Sequence, residues 1–272
     1  MEFGLLAHCV GQQPLDTLPR LVAEHGFKYV QLALAKALSG VDTGLGKLSP
    51  GLANAVAEEF DKYGVKIPVL GCYIDMVNPN EEARRYGIDR FKEHIRMARH
   101  FGAAFVDTET GHVSEKYPSE AAWELTRRTV EELLEEAEKW GVIVAVEPAN
   151  GHIIGTARDW RRLHDEVKSS HLAAVIDPCN ILRDKEFPHD QDEGIREAFR
   201  LMGDHIVLAH CKDLYVDADG KVKETFAGNG TLNYPLFVEL LKQHKPHVHM
   251  TFESVAPHEM ADALRFMKSH FA

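Results

Sequence analysis

The sequence predicts a single-domain (β/α)8 barrel spanning residues 1–272, on three observations. Eight short runs of strand-forming residues recur along the chain. Amphipathic segments with apolar residues every three or four positions separate them, which is the period of a helix packed on one face. The length of 272 residues is close to the roughly 250 typical of an eightfold βα barrel. No low-complexity linker or compositional break divides the chain, and 44% hydrophobic content is ample for one large core. A doubly wound open sheet is the alternative. No G-x-G-x-x-G or G-x-x-x-x-G-K-[ST] follows any strand, and the GNG at 228–230 is too short to count as one.

The strand-like runs are FGLLAHC (3–9), YVQLALA (29–35), KIPVLGCYI (66–74), AFVDTET (104–110), VIVAVEP (142–148), LAAVIDP (172–178), HIVLAHCKD (205–213) and HVHMTFES (247–254). Between the third and fourth, ARRYGIDRFKEHIRMARHFGA (83–103) carries a helical period. Between the fourth and fifth, SEAAWELTRRTVEELLEEAEKWG (119–141) opens on Ser119, a candidate N-cap, and closes on Gly141, a candidate C-cap glycine. Its EELLEEAEK stretch reads as a solvated face with leucines inside. The segment ALSGVDTGLGKLSPG (37–51) is long for a βα loop, and either closes over a substrate or is loose surface. RDKEFPHDQDEG (183–194) either shapes the pocket or meets another subunit.

Net charge is −11, which disfavours a nonspecific grip on phosphate backbones, so no nucleic-acid partner is expected. No segment approaches the roughly 18 apolar residues of a membrane span, and MEFGLLAHCV lacks the basic start of a signal peptide; a cytoplasmic protein without membrane contact is expected. Cys9, Cys72, Cys179 and Cys211 form no C-x-x-C pair and read as reduced thiols.

The last four strand runs each end near a residue that can bind a metal: Glu147, Asp177, His210 and Glu253. In a barrel these ends converge on one mouth. An ionised glutamate closing an aliphatic strand is costly unless a cation or donors meet it. Alternation places Ala145 and Ile143 below Glu147, Val175 and Ala173 below Asp177, Leu208 and Ile206 below His210, and Thr251 below Glu253, so a polar ring sits over an apolar plug with His249 as the exception. Taken singly, each is equally well a strand-end acid paired with lysine or a histidine bonded to a carbonyl. Taken as four, they form an oxygen-rich set for one divalent ion, manganese foremost, with cobalt, magnesium or zinc as alternatives.

VEPANG, VIDPCN, AHCKD, GNGTLNYPLFVELL and TFESV together resemble the xylose isomerase-like sugar phosphate isomerase/epimerase superfamily of TIM barrels, which includes ketose 3-epimerases, inosose isomerases and dehydratases and, more distantly, endonuclease IV. The resemblance implies that Glu147, Asp177, His210 and Glu253 hold a single metal ion and that Glu147 and Glu253 are the two acid/base carboxylates. It implies a sugar isomerase or epimerase acting by proton abstraction beside a carbonyl, through a metal-stabilised enediolate. The substrate would be a small carbohydrate or polyol ketone, and family habit points to a homo-oligomer. Two departures set the chain apart from ketose 3-epimerases: Asn180 replaces a substrate-contacting histidine, and LYVD follows HCKD where an arginine is usual. A dehydratase or lyase on an inosose or keto-sugar begins with the same proton abstraction. A nuclease of the endonuclease IV type needs more histidines, and a non-catalytic sugar binder has no use for two opposed bases.

Further residues fall near the mouth. His8, Asn180 and Lys212 are candidates for substrate contact, with a loop carbonyl as the alternative partner of His8 and neutralisation of the carboxylates as the alternative for Lys212. Asp213 faces away by alternation and reads as a supporting hydrogen bond or a salt bridge to the adjoining strand. Glu109 ends the fourth strand run, and His112 and His152 lie in the loops after the fourth and fifth; all three fall near the mouth whether or not they touch substrate.

Overall fold

The computed structural model describes residues 2–112, 119–182 and 189–271. In chain order the strands are β1 (Gly4–Leu6), β2 (Tyr29–Leu32), β3 (Lys66–Gly71), β4 (Phe105–Thr108), β5 (Ile143–Val146), β6 (Leu172–Ile176), β7 (Ile206–Val216), β8 (Val222–Phe226) and β9 (His249–Phe252). Each of β1 to β6 pairs in parallel with the next, β6 pairs β7, β7 pairs β9, and β9 returns to β1, which closes an eight-stranded barrel. All eight expected runs are strands, seven of them trimmed where they leave the ladder and the run at 205–213 extended to Val216. The β1–β2 ladder ends at Leu6 opposite Gln31, after which Ala7–Val10 turns into a 3-10 helix. His8 therefore lies on a turn at the mouth instead of closing a strand.

The ninth strand was not expected. β8 pairs antiparallel with an extended β7 through a turn in which Asp217 accepts from Asp219 N and Lys221 N, and Gly220 adopts φ +77°. The Asp-Gly pair at 219–220 is the sequence signal that marks it, flanked by LYV and VKETF.

The plug inside the barrel is Val69, Phe105, Ala145, Val175 and Leu208, with Ile143 and Val207 packed against it. Ile206 departs from the expected alternation and joins the outer core. The β6–β7 register shifts so that Ala174 faces Ile206 while Val175 faces Leu208, and this bulge turns Val207 inward in its place. Thr251 is buried, and His249 sits edge-on to Tyr29 with ring centroids 4.8 Å apart.

Around the barrel, helices Glu81–Met97 and Ser119–Trp140 pack side by side. Asn80 caps the first by accepting from Glu82 N and Ala83 N. Ser119, the expected N-cap, is the first described residue of the second helix, and the residues before it lie outside the described ones. Gly141 follows it with φ +60°, in the left-handed region a C-cap glycine supplies. Leu133 and Leu134 are buried as expected, but Glu136 is not part of a solvated face: it is mostly buried and accepts from Arg96 Nε at 2.6 Å. Buried Glu93 accepts from Gly46 N at 2.9 Å and Leu48 N at 3.1 Å, which fastens the 37–51 segment to the helix wall. The RDKEFP portion of 183–194 lies outside the described residues, and helix Gln191–Met202 follows. No helix among the described residues is long and apolar enough to cross a membrane.

Candidate metal centre

The barrel mouth brings the four predicted residues together. Glu147, Asp177 and Glu253 each follow the last residue of β5, β6 and β9, and His210 lies within β7 opposite Thr251. His210 Nδ1 stands 3.1 Å from Glu253 Oε2, 3.3 Å from Asp177 Oδ2 and 3.5 Å from Glu147 Oε1. One ligand atom from each of the four lies within 4.8 Å of all the others. Asp177, His210 and Glu147 are buried, while the Glu253 side chain is 28% exposed and so faces the opening.

Neighbouring groups aim these atoms. Asp177 spends Oδ1 on the backbone N–H groups of Cys179 (2.7 Å) and Asn180 (3.0 Å), so Oδ2 turns to the centre. Asn180 donates from Nδ2 to Glu147 Oε1 at 2.7 Å, which ties it to one of the four candidate ligands. Lys212 Nζ sits 3.1 Å from Asp177, 3.4 Å from Glu253 and 3.6 Å from Glu224, the last contributed by β8. These contacts set Lys212 among three carboxylates, as its neutralising reading requires.

The electrostatics follow from this packing. Burial opposes the charge on Asp177, but Lys212, His210 and the Asn180 N–H outweigh it and hold the carboxyl well below the usual carboxylate range. Burial likewise opposes a charged His210, yet Glu147, Asp177 and Glu253 raise it well above an ordinary imidazole. Lys212 is raised in the same way, its burial outweighed by Asp177, Glu253 and Glu224. Three carboxylates around one imidazole leave a charge that Lys212 only partly cancels, and one divalent cation completes the balance. The donor set is oxygen-rich with one nitrogen and no thiolate, and all four cysteines are free. The residues fit a divalent ion.

Residues 19–270 match the family model described as xylose isomerase-like TIM barrel. The chain belongs to that family. It is 26% identical over 149 residues to fructoselysine 3-epimerase of Shigella flexneri, a match covering 54% of this chain and 50% of that protein. The chain thus spans about half the length of the curated relatives it matches. Among solved structures, a D-tagatose 3-epimerase-like protein superposes with a TM-score of 0.77 at 20% identity, covering 100% of this chain and 97% of that one. The IOLI protein with a bound zinc atom gives 0.73 at 18%, covering 100% and 96%. At these identities the superpositions establish the shared barrel.

Within this xylose isomerase-like barrel, a cleft of about 480 Å³ opens beside the centre, lined in part by Asn150, His152, Arg158 and Asn180. A larger hollow of about 740 Å³ lies on the outer wall, between helices Glu81–Met97 and Ser119–Trp140 and away from the ligands. His8 is half-buried at the mouth, its Nδ1 without a partner among the described residues, and burial together with Lys36 lowers its pKa. His152 accepts from Gly111 N at Nδ1 (3.1 Å) and lies 4.1 Å, centroid to centroid, from the His112 ring. Burial and His112 lower its pKa to about 4, so it meets Glu109 at 4.0 Å as a neutral ring.

Glu109 is pushed up to about 7, by burial first and then by Glu147 and Glu253. A raised folded-state pKa stabilises the fold below the unfolded value of about 4.3, and that contribution is lost as pH rises through about 7. In metal-free protein, Glu109→Gln should therefore raise stability at pH 8 and leave it unchanged at pH 4. The gain is about 1 kcal/mol, discounted because the side chain is 36% exposed. Urea unfolding at the two pH values checks it.

Asp213 points away from the centre as expected, but its partner is not a strand charge. Its carboxylate accepts from Leu214 N (2.7 Å), Leu232 N (2.9 Å) and Gly228 N (3.1 Å), and so fastens the loop around GNG. A Cβ on Gly230 would lie 2.2 Å from Leu214 O and 2.3 Å from Asp213 Oδ1. Gly230→Ala should lower stability by about 1–3 kcal/mol, read as a drop in thermal midpoint. Three polar residues beneath the candidate ligands escaped sequence reasoning: Gln31 and Asp107, both buried, and half-buried Tyr73; a polar residue at an inward strand position was the available signal for the first two.

Proposed function

We propose that this barrel is a divalent-metal-dependent isomerase or epimerase of a small sugar or polyol ketone. The observation that carries the reading is the convergence of Glu147, Asp177, His210 and Glu253 on one point, with the two glutamates on strands separated by β6 and β7. Bound there, a divalent ion supplies Lewis acidity to the oxygens of a hydroxy-ketone, which makes the proton on the adjacent carbon acidic enough to remove. Glu253, the ligand most open to the mouth, takes that proton, and Glu147 on the far side of the set returns one. Lys212 keeps the carboxylates charged and oriented, while Asn180 holds Glu147 in place. A proton returned to the opposite face gives an epimer, and relay between the oxygens gives an aldose/ketose exchange. Fructoselysine 3-epimerase, a keto-sugar enzyme by name, supports this substrate class.

The hard donor set puts manganese first, with cobalt, magnesium and zinc as alternatives; zinc in the IOLI protein supports a divalent site. The reading includes a cytoplasmic, self-associating protein without a nucleic-acid partner, which sedimentation of the purified protein tests in its assembly. The function is tested by incubating manganese-loaded protein in D2O with ketoses, aldoses, inososes and fructosamine-type keto-sugars, and following carbon-bound deuterium by NMR. Deuterium beside the carbonyl of at least one substrate is expected. Loss of a hydroxyl with exchange would instead assign a dehydratase. Turnover of any panel sugar without exchange would contradict proton abstraction.

A further inference from the structure

Beneath the ligand set, the barrel interior carries a second polar layer centred on Gln31 of β2, which is fully buried. Its carboxamide makes four contacts. Oε1 faces His210 Nε2 at 3.0 Å and accepts from Thr251 Oγ1 at 3.2 Å, while Nε2 donates to Asp107 Oδ2 at 2.8 Å and to the Tyr73 hydroxyl at 3.0 Å. An amide in a 0%-exposed site with every donor and acceptor engaged is held in one orientation.

A neutral imidazole carries one proton, and which nitrogen holds it depends on what the other ring atoms face. His210 Nε2 faces an amide oxygen, which accepts and cannot donate. Its Nδ1 faces the oxygens of Glu147, Asp177 and Glu253. The Thr251 and Tyr73 hydroxyls rotate to suit either orientation of the Gln31 amide, so Asp107, whose Oδ2 accepts from Gln31 Nε2, is the partner that favours the one with Oε1 toward His210.

We infer that Gln31 is a positioning residue of the metal centre, holding the His210 proton on Nε2 so that the Nδ1 lone pair is presented to the cation. Asp107 orients Gln31 in turn, giving a carboxyl–amide–imidazole chain that runs from β4 through β2 to β7. This inference rests on the metal reading of the four-residue set, and its test separates the two.

The experiment measures zinc and manganese affinity by chelator competition for wild type, Gln31→Leu, Gln31→Glu and Thr251→Val, with long-range nitrogen–proton NMR of the His210 ring in wild-type protein, metal-free and zinc-loaded. Gln31→Leu should bind either metal roughly 10- to 100-fold more weakly, the usual cost of losing a group that orients a ligand. Gln31→Glu, which keeps an oxygen opposite Nε2, should recover most of the loss. Thr251→Val, which spares the His210 contact, should change affinity less than about threefold, well below the range for losing an orienting group. NMR should show Nε2 protonated in both wild-type states. A Gln31→Leu protein that binds like wild type, or a wild-type His210 with bare Nε2, overturns the role of Gln31. Wild-type protein that binds no divalent ion overturns the metal reading instead, and a bare Nε2 in the metal-free ring spectrum would then still overturn the role of Gln31. If Gln31→Leu does not fold, Gln31→Glu and the wild-type spectrum carry the decision.

Discussion

Glu253→Gln should lower kcat roughly 10²- to 10⁴-fold, the range for removing a positioned general base. The substitution keeps the side chain's size and one oxygen beside His210 Nδ1 but removes its basicity. Deuterium uptake from D2O into the substrate carbon should fall in parallel, because that step requires the same proton transfer. Glu147→Gln should fall by a similar factor and differ in kind: a residue that only returns the proton leaves exchange faster than net conversion. Exchange rates unchanged in both variants would remove the glutamates from the chemistry.

Lys212→Met should be the most damaging substitution for stability among the residues around the centre, at about 3–5 kcal/mol in metal-free protein. Methionine fills similar volume, so the loss is electrostatic: Asp177, fully buried, and Glu253 would keep their charges with one cation fewer. The pH dependence has a definite sign. A carboxyl held below its unfolded value, as Asp177 is, contributes stability above about pH 3.9, and the contribution is lost as pH falls through the folded pKa. The deficit of Lys212→Met should therefore be full at pH 7 and shrink below about pH 3.9. Saturating manganese should restore part of it, since at 100 times Kd a bound ion adds about 2.7 kcal/mol. Denaturant unfolding with and without the ion measures both effects.

The parts of the site legible from sequence were those where a polar residue interrupts an aliphatic run. Glu147, Asp177 and Glu253 each end a run of strand-formers, and burial of such a run forces the terminal charge to the mouth, so their convergence follows from the fold. Gln31 and Asp107 were missed because they lie within short strands and look like tolerated polar substitutions until the ring is closed; their partners, His210 and Tyr73, are 179 and 42 residues from Gln31. Ile206 was misplaced because alternation presumes an unbroken register, and the bulge that turns Val207 inward depends on how β6 meets β7. The hydrogen bond from Asn180 to Glu147 was not legible from DPCN, because its acceptor follows a neighbouring strand. β8 was overlooked although its Asp-Gly turn is plain in the sequence, since β7 was expected to end at 213 and is extended to Val216.

The most direct test is a crystal of the protein soaked in manganese and recorded with anomalous scattering. A single peak within roughly 2.0–2.3 Å of a carboxylate oxygen from each of Glu147, Asp177 and Glu253, and of His210 Nδ1, is the predicted result. A map with no peak there, and with Lys212 and His210 still paired to the three carboxylates, would contradict it.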